Sequence, residues 1–95
     1  MTKYRLSNKA KDDLIRIHRY GIKKIGVQQA DKYFETFFEY FDIIAKSPYS
    51  FETVEYIKKG CRKCVCGSDG IYYKINNDTV DIMAIVGKQD LKNIL

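Results

Sequence analysis

Ninety-five residues, 45% of them hydrophobic and 14% aromatic, suffice for one packed core and leave no apolar run for a second, so a single domain over 1–95 is expected and a disordered chain is excluded. The opening MTKYRLSNKAKDD carries charges every few residues and no stretch nears about 18 apolar residues, so neither signal peptide nor membrane span is expected and the cytoplasm is the expected location. Seventeen Lys and Arg against 12 Asp and Glu leave a net charge of +5, which calls for an acidic partner, nucleic acid or protein, or simply keeps the chain soluble.

Thr2 to Leu6 alternates, with Tyr4 and Leu6 on one face, and reads as a short strand ending at Ser7, a helix N-cap type. A helix over about 8–24 follows. Asp12 and Asp13 are placed in its first turn, and Ala10, Leu14, Ile17, Gly21, Ile22 and Ile25 form its apolar stripe. Gly26 ends it. A second periodic run of Val27, Ala30, Phe34, Phe37, Phe41 and Ile44 predicts another helix, broadened by Tyr33, Phe38 and Tyr40 and stopped by Ser47-Pro48. Two helices with a glycine link imply an antiparallel hairpin.

Residues 49–60 show no sustained period and read as a loop ending at Gly60. Beyond it, Cys61–Cys66, Ile71–Ile75 and Thr79–Val86 are rich in β-branched, aromatic and sulfur residues, separated by Gly67-Ser68-Asp69-Gly70 and Asn76-Asn77-Asp78. These predict a three-stranded antiparallel meander. Leu91, Ile94 and Leu95 are spaced as one helical turn presents them. The expected fold class is α+β: an N-terminal strand, then an antiparallel helical hairpin packed on an antiparallel sheet that the meander completes.

Cys61, Cys64 and Cys66 raise the question of zinc. A structural site wants four ligands, the one histidine is His18 on the first helix, and strand alternation sends Cys64 and Cys66 to one face and Cys61 to the other. No metal and no cofactor are expected, and the thiols are read as reduced strand residues. Lys58, Lys59, Arg62 and Lys63 form a basic cluster at the start of the meander, with Lys74 and Lys88 in reach. Such cations hold phosphates in a ribonuclease, but only beside a proton-transfer group. After Tyr73 the chain offers no Tyr or His, only Asp78, Asp81 and Asp90. A solvated basic edge is the simpler alternative.

The strand Tyr4 to Ser7, then Ala10, Asp13-Leu14, Ile17, Tyr20, Gly26, Ala30, Tyr33, Ser47-Pro48, Arg62, Gly67, Ile71-Tyr72-Tyr73, Val80-Asp81-Ile82 and Ile85-Val86 resemble the ParE toxins of the RelE/ParE toxin–antitoxin superfamily over nearly the whole chain. The chain departs from the family at Cys64, where an aromatic is common, and at Gly87-Lys88-Gln89-Asp90, where a His followed by basic residues is common. The resemblance implies a toxin silenced by a ParD-like antitoxin in a hetero-oligomer, with DNA gyrase as target and no catalytic residues. It implies antitoxin contacts at Leu14, Ile17, Tyr20, Phe34, Phe38, Phe41 and Tyr73, and target contacts at Arg62, Lys63, Lys88, Asp90 and Leu91. A ribosome-dependent endoribonuclease built on the basic cluster is the alternative, and a non-toxic antitoxin-binding member is the third.

Overall fold

The computed structural model describes residues 3–87. Strand β1 (Lys3–Leu6) leads into α1 (Asn8–Ile25), α2 (Val27–Lys46), a 3₁₀ turn (Pro48–Ser50), and strands β2 (Glu52–Thr53), β3 (Cys61–Cys66), β4 (Asp69–Asn76) and β5 (Thr79–Gly87). The sheet order is β1-β5-β4-β3-β2. The α+β hairpin-on-sheet architecture and the antiparallel meander are as expected from the sequence.

Two features of the sheet differ from that reading. β1 pairs in parallel with β5, Tyr4 opposite Val80 and Leu6 opposite Ile82, so the sheet is mixed. The hairpin accounts for this: two antiparallel helices return the chain to its starting end, and the meander then delivers β5 in the same direction as β1. The stretch read as a loop contains β2, which pairs antiparallel with β3 through Glu52–Lys63 and Thr53–Arg62. Two residues are too short to show a period.

Ser7 caps α1, its Oγ accepting from the Ala10 N–H at 3.0 Å, and the same hydroxyl donates to Met83 O at 2.8 Å. One side chain thus starts the helix and fixes it to β5. Asp12 and Asp13 lie beyond the first turn, which holds no acid. Asp13 is instead 5% exposed and accepts the Ile85 N–H at 3.0 Å, while Arg16 donates to Ile85 O at 3.1 Å. β1 ends opposite Ile82, so these two side chains satisfy backbone groups of β5 that a longer β1 would have paired. Lys9 and Arg16 lie 3.2 and 3.5 Å from Asp13 Oδ1 and balance its charge.

The main core lies between hairpin and sheet. Leu14 and Ile17 of α1, Phe37, Phe41 and Ile44 of α2, and Cys64, Ile71, Tyr73, Val80, Ile82 and Ile85 of the sheet are buried there, with Tyr4 and Leu6 packed against them. Each large side chain so buried contributes about 1.5–3 kcal/mol. The α1 stripe stops short of its predicted end, since Ile22 and Ile25 are exposed. A smaller cluster, Val54, Cys61, Tyr72, Ala84 and Val86 with Ile57, covers the second face of the sheet. A register shift between Tyr72 and Tyr73, which pair with Ala84 and Ile82, leaves Met83 as a bulge and keeps Ile82 and Ile85 both on the helical face.

Candidate interaction surfaces

Two surfaces collect the chemistry the sequence singled out. The first is a groove of about 430 Å³ at the end of the hairpin, lined by Arg16, Tyr20, Lys24, Ile25, Tyr33 and Gly87 among others. Tyr33 forms its floor. The Tyr33 hydroxyl lies 2.9 Å from Cys66 O and 2.8 Å from Asp69 Oδ2, with one proton to share between them. Burial, followed by the Asp69 carboxylate, holds that proton well above the usual phenol range. The ring sits where a side chain at Gly67 would stand, 2.7 Å from an ideal Cβ, and Gly67 also takes a φ of +59°. Both requirements select glycine. Tyr20 is 61% exposed on the groove wall, with Lys24 Nζ 5.6 Å from its ring centroid.

Of the side chains expected to meet an antitoxin, Tyr20 is exposed on this groove, and Phe34 and Phe38 are half-buried in an aromatic ladder that runs His18, Phe34, Phe38, Phe41 at centroid spacings of 5.2–5.4 Å. His18 also pairs with Asp31 across the hairpin, Nε2 to Oδ1 at 2.7 Å. Leu14, Ile17, Phe41 and Tyr73 are buried in the main core, so their place is beneath the surface rather than on it. Helical and strand periodicity marks an apolar face without saying whether the same protein covers it.

The second surface is the sheet face away from the hairpin. Strand alternation puts Lys3 and Arg5 of β1, Lys63 and Val65 of β3, and Lys74 of β4 there, with Asp81 of β5 paired to Arg5 at 2.8 Å. The predicted basic cluster is divided. Lys58 and Lys59 lie exposed in the turn before β3, and Lys63 belongs to this second face. Arg62 faces the hairpin side instead, opposite Tyr73 in the register. Its guanidinium donates to Phe51 O at 2.7 Å and stacks 5.2 Å from the Tyr49 ring centroid. Tyr73 donates to Pro48 O at 2.6 Å, so Arg62 and Tyr73 together hold the 48–51 segment against the sheet. Lys88, Asp90 and Leu91 lie outside the described residues.

The three cysteines divide between the faces as alternation requires, Cys64 and Cys66 in the main core and Cys61 in the second cluster. Burial pushes the Cys64 and Cys66 thiols up to about 11 and raises Cys61 as well. Protonated thiols walled into two cores are poor nucleophiles and poor metal ligands. Tyr72 and Tyr73 are likewise raised by burial, Tyr73 to about 12. Among the described residues no helix is long and apolar enough to cross a membrane.

The polar residues that sequence reasoning missed are Arg16, Lys24, Ser68 and Asp69 in the groove. They come from a hairpin turn and a helix far apart in the chain, and no local pattern joins them.

The family model for the ParE toxin of the type II toxin–antitoxin system parDE matches residues 4–91. The chain is similar to Toxin ParE1 of Caulobacter vibrioides, 35% identical over 75 residues, which is 79% of this chain and 78% of that protein. Its fold is similar to a solved chain of the chromosomal ParDE TA system from P. aeruginosa, with a TM-score of 0.80 at 17% identity, covering 92% of this chain and 96% of the other. With the hairpin, the mixed five-stranded sheet and these matches in place, the chain belongs to the ParE family, the toxins of type II toxin–antitoxin systems.

Proposed function

We propose that the chain is a toxin that inhibits DNA gyrase by binding it, and that a co-produced antitoxin silences it by laying an extended segment in the hairpin groove. The observation that carries the antitoxin half is the groove's composition. Tyr20 and Ile25 offer apolar surface to a partner, Arg16 and Lys24 offer positive charge, and the wall ends at Gly87. A segment with apolar and acidic residues fits such a lining. The residues that follow Gly87 include Lys88, Asp90 and Leu91, the proposed target contacts. An antitoxin in the groove therefore covers Gly87, the residue that precedes those positions in the chain.

The ribonuclease reading has less support. It needs Arg62 free for a phosphate, whereas Arg62 is engaged by Phe51 O and Tyr49. It also needs a proton-transfer group, and the hydroxyls of Tyr72 and Tyr73 are buried.

Purified chain added to gyrase is expected to reduce supercoiling and raise cleavage-complex levels in a dose-dependent way. Unchanged gyrase at every dose overturns the target. Message cutting in induced cells without DNA breaks moves the assignment to the ribosome. Replacing Tyr20 by Glu is expected to weaken antitoxin binding about tenfold or more while leaving the gyrase effect intact.

A further inference from the structure

The second face of the sheet gathers cations from elements that lie apart in the chain. Lys3 stands on β1, Lys74 on β4 and Lys63 on β3, and Lys58 and Lys59 border them in the turn before β3. Three strand spacings separate β1 from β3, so the row is roughly 14 Å across. None of these five lysines forms an ion pair among the described residues. Arg5, on the same face, is held by Asp81. Of the two other acids nearby, Glu55 accepts the Gly60 N–H, and Glu52 stands opposite Lys63 in the register of β2 with β3.

Two of the lysines are fixed by their stems. Lys63 lies along Tyr72, its Nζ 5.7 Å from the ring centroid and its Cε 2.9 Å from where a Cβ on Gly70 would stand. Lys74 Cε comes 4.0 Å from the equivalent position at Gly60. Both side chains are half-buried, an arrangement that packs the stem and leaves the ammonium group at the water. A cation already positioned loses less freedom when an anion arrives.

We propose that this face binds duplex DNA along its phosphate backbone. A duplex presents about one negative charge per 1.7 Å of its axis, so a row of this width meets several phosphates at once. A protein partner fits less well, because protein interfaces close over an apolar centre and the one large apolar side chain exposed on these strands is Val65. Single strands fit less well too. They stack their bases on aromatic side chains, and the aromatic residue of this face, Tyr72, is fully buried. Tyr56 is exposed, but it is single and lies off the strands, between β2 and β3. Lysines on a phosphate backbone carry no sequence preference. The proposal goes beyond the gyrase reading, since it concerns DNA free of any enzyme.

The test is the fluorescence anisotropy of a short labelled blunt-ended duplex, titrated with the full chain over a range of salt. Saturable binding is expected, alike for duplexes of unrelated sequence. The logarithm of the affinity is expected to fall against that of the salt with a slope of roughly −4 to −5, about −0.9 for each lysine. Lys63→Ala with Lys74→Ala is expected to weaken binding about tenfold or more and to take about 2 from that slope. Lys58→Ala with Lys59→Ala, in the exposed turn, is expected to do the same without disturbing a packed stem. Lys11→Ala with Lys23→Ala, both exposed on α1, changes the net charge equally and is expected to leave the slope as it was. No binding at low salt overturns the proposal. So does an equal loss from all three pairs, which would make the attraction one of overall charge. A single-stranded RNA or a polyglutamate peptide that displaces the duplex at a lower concentration of charge reassigns the face and overturns it as well. The assay contains no gyrase, so its failure leaves the supercoiling result standing, and the converse also holds.

Discussion

Tyr72 and Tyr73 are consecutive residues of β4, both fully buried, and the sheet sends them to opposite faces. Tyr73 enters the main core among Phe37, Phe41 and Ile82 and ends on Pro48 O, where its hydroxyl anchors the segment between α2 and β2. Tyr72 enters the small cluster with Val54, Cys61 and Val86, and its hydroxyl ends on nothing among the described residues. The difference teaches how the fold divides its labour. The helical face is satisfied and serves stability. The other face keeps a buried hydroxyl without a partner among the described residues, several cations and a thinner apolar layer.

The sharpest break of this contrast is at the centre of the main core. Phe41→Ala leaves a cavity beside Tyr4, Phe37 and Phe38 and is expected to cost about 3–5 kcal/mol in urea denaturation, a large share of the stability of so small a domain. The matching deletion on the second face, Val54→Ala, removes two buried methyl groups and is expected to cost about 1–2 kcal/mol. Equal losses at the two positions would mean the faces are equivalent.

Alkaline pH loads the main core through its thiols. Cys64 and Cys66 hold their protons up to about 11 in the folded state, whereas an unfolded thiol releases its proton near 8.5. The folded state therefore binds more protons than the unfolded one between these values, and stability falls as pH rises through that window. At about 1.4 kcal/mol for each unit of pKa difference, the expected loss across the whole window is roughly 3 kcal/mol per thiol. Denaturation midpoints measured across the window check it, and a Cys64→Ala, Cys66→Ala double variant is expected to flatten the profile.

The two tyrosines themselves give the finest comparison. Tyr73→Phe removes the bond to Pro48 O and leaves that carbonyl short of a donor, for an expected cost of about 0.5–1.5 kcal/mol. Tyr72→Phe removes a hydroxyl without a described partner and is expected to be neutral or slightly stabilising in the same denaturation series. A Tyr72→Phe loss as large as that of Tyr73→Phe would show that the hydroxyl already has a partner within the chain.

Much of this molecule was legible before any coordinates. The helix limits near Gly26 and Ser47-Pro48, the Cys61–Cys66 strand and the division of its thiols between faces follow from periods and from Gly and Pro, which act within a few residues. Asp13 was visible only as an acid near a helix start. Its true partner, the Ile85 N–H, is 72 positions away. Arg62 and Lys63 look alike in sequence, and only the pleat sends one to the Phe51 carbonyl and the other to the second face of the sheet.

The sequence by itself determined the types and order of every α-helix and strand but the two-residue β2, because helix and strand periods, caps and breakers are local physics that each segment carries with it. Tertiary structure decided the parallel pairing of β1 with β5, the burial of Leu14, Ile17, Phe41 and Tyr73, and the joining of Arg16, Tyr20, Tyr33 and Gly87 in one groove. Those depend on which distant segments share the same space. Apolar faces and charges do not name their partners, so close packing among elements far apart in the chain settles which groups are satisfied and which are left to bind.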